Sequence, residues 1–273
     1  MTYLITGATG TVGRQIVREL LARGHSVRAL TRDPASANLP ADVDVVRGDL
    51  TDPDSLRPAL DGVTGLHLLT FGGPYFTPLE TGPRILELAR EAGVRRVTVL
   101  HGGGASPLED AVRASDFVWT VVMPVEFMSN ALEWAERVRT EDEVRAPFVD
   151  RVSAMIHEAD IGAVAAVALS EDGHGGQEYL ITGPQALTIK DKTETLATAR
   201  SRPIRLVELS PEEAVAEWRA AGQPEDVIEF LIDVYGNTPE AGRTVIDTVA
   251  KVTGRPARTF AEWAEEHADA FRA

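Results

Sequence analysis

The 273-residue chain contains no cysteine, which excludes disulfides, thiol redox chemistry and cysteine-ligated zinc or iron–sulfur centres. Basic charge is scarce: 27 lysines and arginines stand against 42 aspartates and glutamates, for a formal net charge of −15. Such a surface repels polyanions as a whole, so nucleic acid is not an expected partner. No apolar run is long enough to span a bilayer, and the strand pattern begins almost at Met1, leaving no room for a signal peptide. A soluble, cytoplasmic protein with no membrane partner is expected. Internal repeats and low-complexity tracts are absent. So is a Gly-x-Ser-x-Gly elbow, and without that nucleophile His101-Gly102-Gly103-Gly104 cannot serve as an esterase oxyanion loop.

What is present is concentrated at the amino terminus. A short apolar run, Tyr3-Leu4-Ile5, leads into three glycines, Gly7, Gly10 and Gly13, and Val12, Ile16, Val17, Leu20 and Leu21 then repeat with helical period. This is strand, tight turn, helix. A helix opening there offers unpaired N–H groups and a partial positive charge, and the missing side chains let a pyrophosphate approach the backbone. Gly7 serves the turn, Gly10 the approach of phosphate, and Gly13 the packing of helix on strand. Thr9, Thr11 and Val12 complete the expected coenzyme-binding turn, and Gly24 ends the helix before a second strand.

Further strands are predicted over 26–30, 43–46, 66–70, 97–100 and 119–123, alternating with helices at the cadence of a parallel sheet covered on both faces. The predicted fold is α/β, a doubly wound parallel sheet. Residues 1–150 form the dinucleotide-binding domain, 151–185 add a late helix (161–169) and strand (178–182), and 186–273 make a smaller, mostly helical lobe covering the substrate. The charged stretch 137–145 reads as the rim of a helix opening at Val125.

The second strand ends at Thr31-Arg32. An acidic residue there would select NAD, whereas a cation selects NADP, and Arg32 with Thr31 can grip a 2′-phosphate. NADP is therefore the expected coenzyme, with NAD as the alternative, and Asp33 is assigned to the Asp33-Pro34 turn. Asp49 and Leu50 are placed to flank adenine, and Leu69 and Thr70 to lie near the ribose and pyrophosphate. Phe71, Tyr75 and Phe76 sit in a glycine- and proline-rich loop at a strand's carboxyl end, either as a pocket wall or as an aromatic-pinned surface loop. His157-Glu158-Ala159-Asp160 has ligand-type residues but no third element, so no metal is expected and Asp160 reads as a helix cap.

Together with Gly48-Asp49-Leu50, Ala92-Gly93-Val94, Pro124-Val125-Glu126-Phe127-Met128-Ser129-Asn130 and the tail Thr253-Gly254-Arg255-Pro256, these motifs resemble the NmrA-like atypical short-chain dehydrogenases. The resemblance runs nearly end to end and implies a Rossmann fold. It places the nicotinamide end of the coenzyme at the Pro124–Asn130 motif, at Pro124 and Phe127. There Phe127 and Met128 would pack an apolar wall and Glu126 and Asn130 supply polar anchors for a small-molecule substrate, or the motif is the amphipathic entry to a helix. It also implies one of three activities: reduction of a quinone, carbonyl or conjugated alkene by NAD(P)H; redox sensing without turnover; or a biosynthetic tailoring reaction.

Classical short-chain dehydrogenases use Tyr-x-x-x-Lys to deliver a proton. Here Tyr3, Tyr75, Tyr179 and Tyr235 have no lysine four residues on, and the lysines are Lys190, Lys192 and Lys251. The fifth strand, where the family often has a serine pair, ends instead in His101. An imidazole at that edge has two readings: the proton donor of the reaction, or a histidine hydrogen-bonded to its neighbourhood.

Overall fold

In the computed structural model, which describes residues 1–72, 77–104 and 106–272, the strands are β1 (Thr2–Ile5), β2 (Ser26–Thr31), β3 (Asp44–Arg47), β4 (Gly65–Leu69), β5 (Arg96–Leu100), β6 (Val118–Pro124), β7 (Glu143–Pro147), β8 (Val152–Ser153), β9 (Gln177–Ile181), β10 (Leu187–Thr188) and β11 (Arg205–Leu209). The helices are α1 (Thr11–Ala22), α2 (Arg57–Leu60), α3 (Gly82–Glu91), α4 (Pro107–Arg113), α5 (Ala135–Glu141), α6 (Glu158–Ser170), α7 (Ile189–Ala199), α8 (Pro211–Ala220), α9 (Glu225–Gly236), α10 (Glu240–Arg243), α11 (Thr248–Thr253) and α12 (Phe260–Glu266). The expected pocket residues Tyr75 and Phe76 lie outside the described residues.

The chain falls into two units. Unit 1 is Met1–Pro124, Glu158–Ile181 and Thr248–Arg255; unit 2 is Val125–His157, Thr182–Asp247 and Pro256–Ala273. Unit 1 includes α6 and β9, and residues 125–150 group with unit 2.

Unit 1 is a seven-stranded sheet in the order β3-β2-β1-β4-β5-β6-β9, with every neighbouring pair parallel, as the doubly wound reading required. Burial of both faces explains the near-continuous apolar strands: Leu4, Ile5, Leu66, Leu68, Val97 and Val99 are all buried. One face carries α3 and α4, whose Ile85, Leu86, Leu108 and Val112 pack with Leu4, Leu68 and Val99. On α6 every residue from Ile161 to Leu169 is buried, as a helix apolar around its whole circumference must be. It meets α1 closely because Gly162 has no side chain; a Cβ there would stand 2.4 Å from Gln15 Cβ. The chain winds from β1 out to β3, then resumes on the other side of β1 at β4. That reversal opens a crevice beyond the carboxyl ends of the strands.

Unit 2 pairs β7 with β11 in parallel and β8 with β10 antiparallel, and its core gathers Met128, Val138, Val144, Leu196, Phe260 and Phe271 around Trp263. The helix expected to open at Val125, with 137–145 as its rim, starts only at Ala135 and ends at Glu141, and Glu143 to Arg145 lie in a strand. A 3₁₀ stretch (Met128–Trp134) precedes α5, Asp142 turns the chain at φ 55°, and β7 follows. The reason is charge: Arg205 and Arg145 neutralise the buried Glu143, so a strand bearing Glu143 and Arg145 on alternate positions is satisfied.

Candidate coenzyme site

Gly7 stands at φ +60°, where a Cβ would also press to 2.7 Å of Leu69 Cδ1. The Gly10 amide donates to Gly7 O at 2.9 Å, closing the turn. At Gly13 a Cβ would lie 2.0 Å from Gly7 O, so α1 rests backbone against backbone on the turn. α1 opens at Thr11 with Gly10 as its cap and no side chain bonded across its first turn. Its leading amides are thus available to an anion, and a dinucleotide diphosphate fits this cradle. Arg14 locks the cradle, since its Nε donates to Thr9 O at 2.8 Å and its Nη1 and Nη2 to Asn38 O and Ala37 O at 2.7 and 3.1 Å. The sequence carries no signal for that clamp.

A cavity of about 420 Å³ runs outward from the turn, within the range that takes a small-molecule cofactor. Of the expected coenzyme residues, Gly7, Thr9, Thr31, Arg32, Asp49, Leu50 and Leu69 line it. Leu30, Gly48 and Gly72 join them, as does Phe71, which the sequence had assigned to the substrate. Thr11, Val12 and Gly13 belong to the turn and first helical residues beside it, and Thr70 spends its hydroxyl on Leu100 O at 3.3 Å. Pro124 ends β6. Phe127 falls in unit 2, bridging to Ile156.

The outer end of the cavity is set by how Asp33 and Arg32 divide their roles. Asp33 Oδ1 accepts from Ala35 N at 3.1 Å and its Oδ2 from Ser36 Oγ; the Ser36 bond holds this carboxyl below its ordinary value. Asp33 is therefore a turn cap. Arg32, among the described residues, makes no hydrogen bond or ion pair. Asp49 accepts from Thr51 N and Oγ1 at 2.9 and 2.8 Å, bonds that lower its pKa, with Arg32 adding to the effect.

His101 extends β5 by one residue, its amide donating to Val122 O at 2.9 Å. The next residue, Gly102, lies against Thr70 and Phe71; a Cβ there would meet Thr70 Oγ1 at 2.5 Å. His101 Nδ1 is 2.7 Å from Glu109 Oε1 on α4. Sequence reasoning did not single out Glu109. The signal existed in Ser106-Pro107, a cap followed by proline that opens a helix two residues before it.

In unit 2, Glu126 is buried in an ionic cluster. Both its oxygens bond Arg151, at 2.9 and 3.0 Å, and Lys192 Nζ lies 3.8 Å away and donates to Ser153 Oγ at 2.6 Å. Burial alone would raise the Glu126 pKa; Lys192 and Arg151 hold it below the ordinary carboxylate value. Lys192, fully buried, is pushed down to about 8. Glu126 and Asn130 line a cavity of about 70 Å³ with Trp134, Trp218 and Tyr235, less than half the roughly 150 Å³ that holds a benzene. Met128, expected as a pocket wall, is buried in the unit 2 core.

A doubly wound parallel sheet with a glycine cradle and crevice at its reversal point defines a nicotinamide-dinucleotide-binding protein of the Rossmann type. The chain belongs to the NAD(P)H-binding family, whose model matches residues 7–172, in agreement with the motif resemblance. It is 37% identical over 99% of its length, and 99% of the relative's, to an NAD(P)H azoreductase of Xenophilus azovorans. A (4-alkanoyl-5-oxo-2,5-dihydrofuran-3-yl)methyl phosphate reductase of Streptomyces griseus is 36% identical, with 98% of each chain covered. Among solved structures, an NADPH-dependent quinone oxidoreductase of Escherichia coli superposes with a TM-score of 0.79 at 25% identity, covering 97% of this chain and 99% of that one.

Proposed function

We propose that the protein is an NADPH-dependent reductase of a quinone, carbonyl or conjugated alkene. The observation that carries this reading is the crevice: a glycine cradle for the diphosphate, followed by an arginine with no partner among the described residues where a 2′-phosphate would lie. The reductase names of its relatives support it, as does the NADPH dependence stated for the Escherichia coli enzyme. Gly7, Gly10 and the first amides of α1 hold the diphosphate, Arg32 and Thr31 the 2′-phosphate, and Asp49 and Leu50 the adenine. NADPH bound there supplies a hydride. With Tyr-x-x-x-Lys absent, the accompanying proton comes from His101 or water; a quinone tolerates this better than a ketone because its reduction needs little acid catalysis.

The test is a panel of quinones, enones and aldehydes mixed with purified protein and NADPH, followed at the nicotinamide absorbance band. Accelerated loss with at least one acceptor is expected. Quenching of NADPH fluorescence without turnover of any acceptor would convert the reading to that of a sensor.

A further inference from the structure

Glu109, on α4, is a buried carboxylate beside the carboxyl end of β5. Its position is set locally: Ser106 caps α4 by accepting from Glu109 N, and Pro107 fixes the first helical residue. The side chain is only 4% exposed. A carboxylate so buried has to be paired, and each oxygen has one partner. Oε2 accepts from Arg113 Nη2 at 2.8 Å, one helical turn on, and Arg113 Nε in turn reaches Glu178 at 2.7 Å. Oε1 faces His101 Nδ1 at 2.7 Å. An ionised carboxylate only accepts, so Nδ1 carries the hydrogen and the ring is fixed in orientation. Nε2 then has no partner among the described residues, on a side chain that is 22% exposed at the carboxyl end of β5.

From this arrangement we propose that Glu109 is the positioning residue of a carboxylate–imidazole couple with His101, which delivers the reaction's proton in place of the missing tyrosine–lysine pair. The proposal rests on the reductase reading above. With Nδ1–H committed to Glu109, a proton drawn from water settles on Nε2, and that proton is handed on. The acceptor's carbonyl oxygen or one azo nitrogen takes it, while the hydride with its two electrons passes from the reduced nicotinamide to the β-carbon of the enone or to the other azo nitrogen, and water restores Nε2. Glu109 stays ionised throughout. The couple serves acceptors that must be protonated as they are reduced, an enone or an azo bond, more than it serves a quinone.

Nitrogen NMR of the imidazoles in coenzyme-free protein reads the geometry without any turnover. His101 is expected as the single Nδ1–H tautomer, mixed in Glu109→Ala and restored in Glu109→Gln, whose carbonyl oxygen still accepts. In kinetics, Glu109→Ala is expected to lose on the order of a hundredfold in kcat with an enone or azo acceptor, at a nearly unchanged KM for NADPH. The loss with a benzoquinone should be much smaller, and Glu109→Gln should recover most of the rate. An Nε2–H tautomer in the unaltered protein overturns the proposal whether or not the alanine variant folds. So does a Glu109→Ala enzyme with full kcat, or one equally slow on every acceptor. Full turnover by His101→Ala removes the imidazole from the reaction yet leaves the reductase standing, whereas absence of NADPH oxidation with every acceptor removes the reductase reading itself.

Discussion

The crevice of unit 1 and the ionic cluster of unit 2 are both rich in polar groups, but they use them in opposite ways. In unit 2 the charges face one another: Glu126 has Arg151 on both oxygens, Lys192 has Ser153, and the Arg151 guanidinium lies 4.1 Å from the Tyr235 ring centroid. In unit 1 the leading amides of α1 have no capping side chain and Arg32, among the described residues, has no ion pair. A closed cluster fixes a fold. An open set of donors around a 420 Å³ cavity is what a ligand completes. The difference shows why a motif rich in Glu, Phe, Met and Asn between 124 and 130 divides in the structure, with Met128 in the core and Glu126 in the cluster.

If the contrast holds, substitutions in the crevice should cost binding and those in the cluster should cost stability. Gly13→Ala is expected to have the largest effect. Its Cβ would meet backbone, Gly7 O at 2.0 Å, which cannot move aside as a flexible side chain would. NADPH fluorescence titration should show binding lost beyond measurement. Arg151→Met should break the cluster instead, leaving a buried carboxylate short of its bidentate partner. A loss of about 3 to 5 kcal/mol in urea unfolding is expected.

Arg32→Ala sharpens the contrast on the other side. A guanidinium that gains a phosphate contributes roughly 1.5 to 3 kcal/mol through charge-assisted hydrogen bonds, so NADPH affinity should fall on the order of tenfold to a hundredfold. NADH affinity and the unfolding midpoint should stay where they are, since Arg32 has no partner among the described residues to lose. Equal weakening of both coenzymes would mean that this end of the crevice does not read the 2′-phosphate.

Much of unit 1 was legible because its signals are local. Glycine spacing, apolar strands and the caps of successive helices each follow from a few neighbouring residues, and the parallel sheet follows from their alternation. Arg32 was legible for the same reason, as a cation at a strand end. What could not be read depends on residues far apart in the chain. Glu109 matters because β5 and α4 bring it to His101, and Arg14 because it gathers the carbonyls of Thr9, Ala37 and Asn38. Strand β7 was hidden for a related reason: its buried Glu143 is neutralised by Arg205, 62 residues on. The expectation that 137–145 is the rim of a helix opening at Val125 was read from its local charge, and only its first part, within α5, is helical.

The smallest effect isolates the cluster by pH. Burial brings Lys192 down from an ordinary value of 10.5 to about 8, despite the opposing pull of Glu126. Below pH 8 the lysine is protonated in both folded and unfolded chains, and the full cost of burying the cation is borne. Between pH 8 and 10.5 the unfolded chain still holds the proton while the folded one has released it. Stability must therefore rise with pH in that window, by up to about 1.4 kcal/mol per unit. Tyr235 acts in the other direction at higher pH: burial, with the Glu126 charge adding to it, pushes its phenol well above the ordinary value of 10.0, so the folded chain keeps a proton that the unfolded chain gives up. The clean interval is pH 8 to 10, where a gain of about 2 kcal/mol attributable to Lys192 is expected. Urea unfolding of the protein and of Lys192→Met at both ends of that interval measures it as the difference between their slopes, in which the other titrating groups cancel. Equal slopes would mean that Lys192 is not a buried cation, and the account of unit 2 as a closed ionic cluster would fail at its centre.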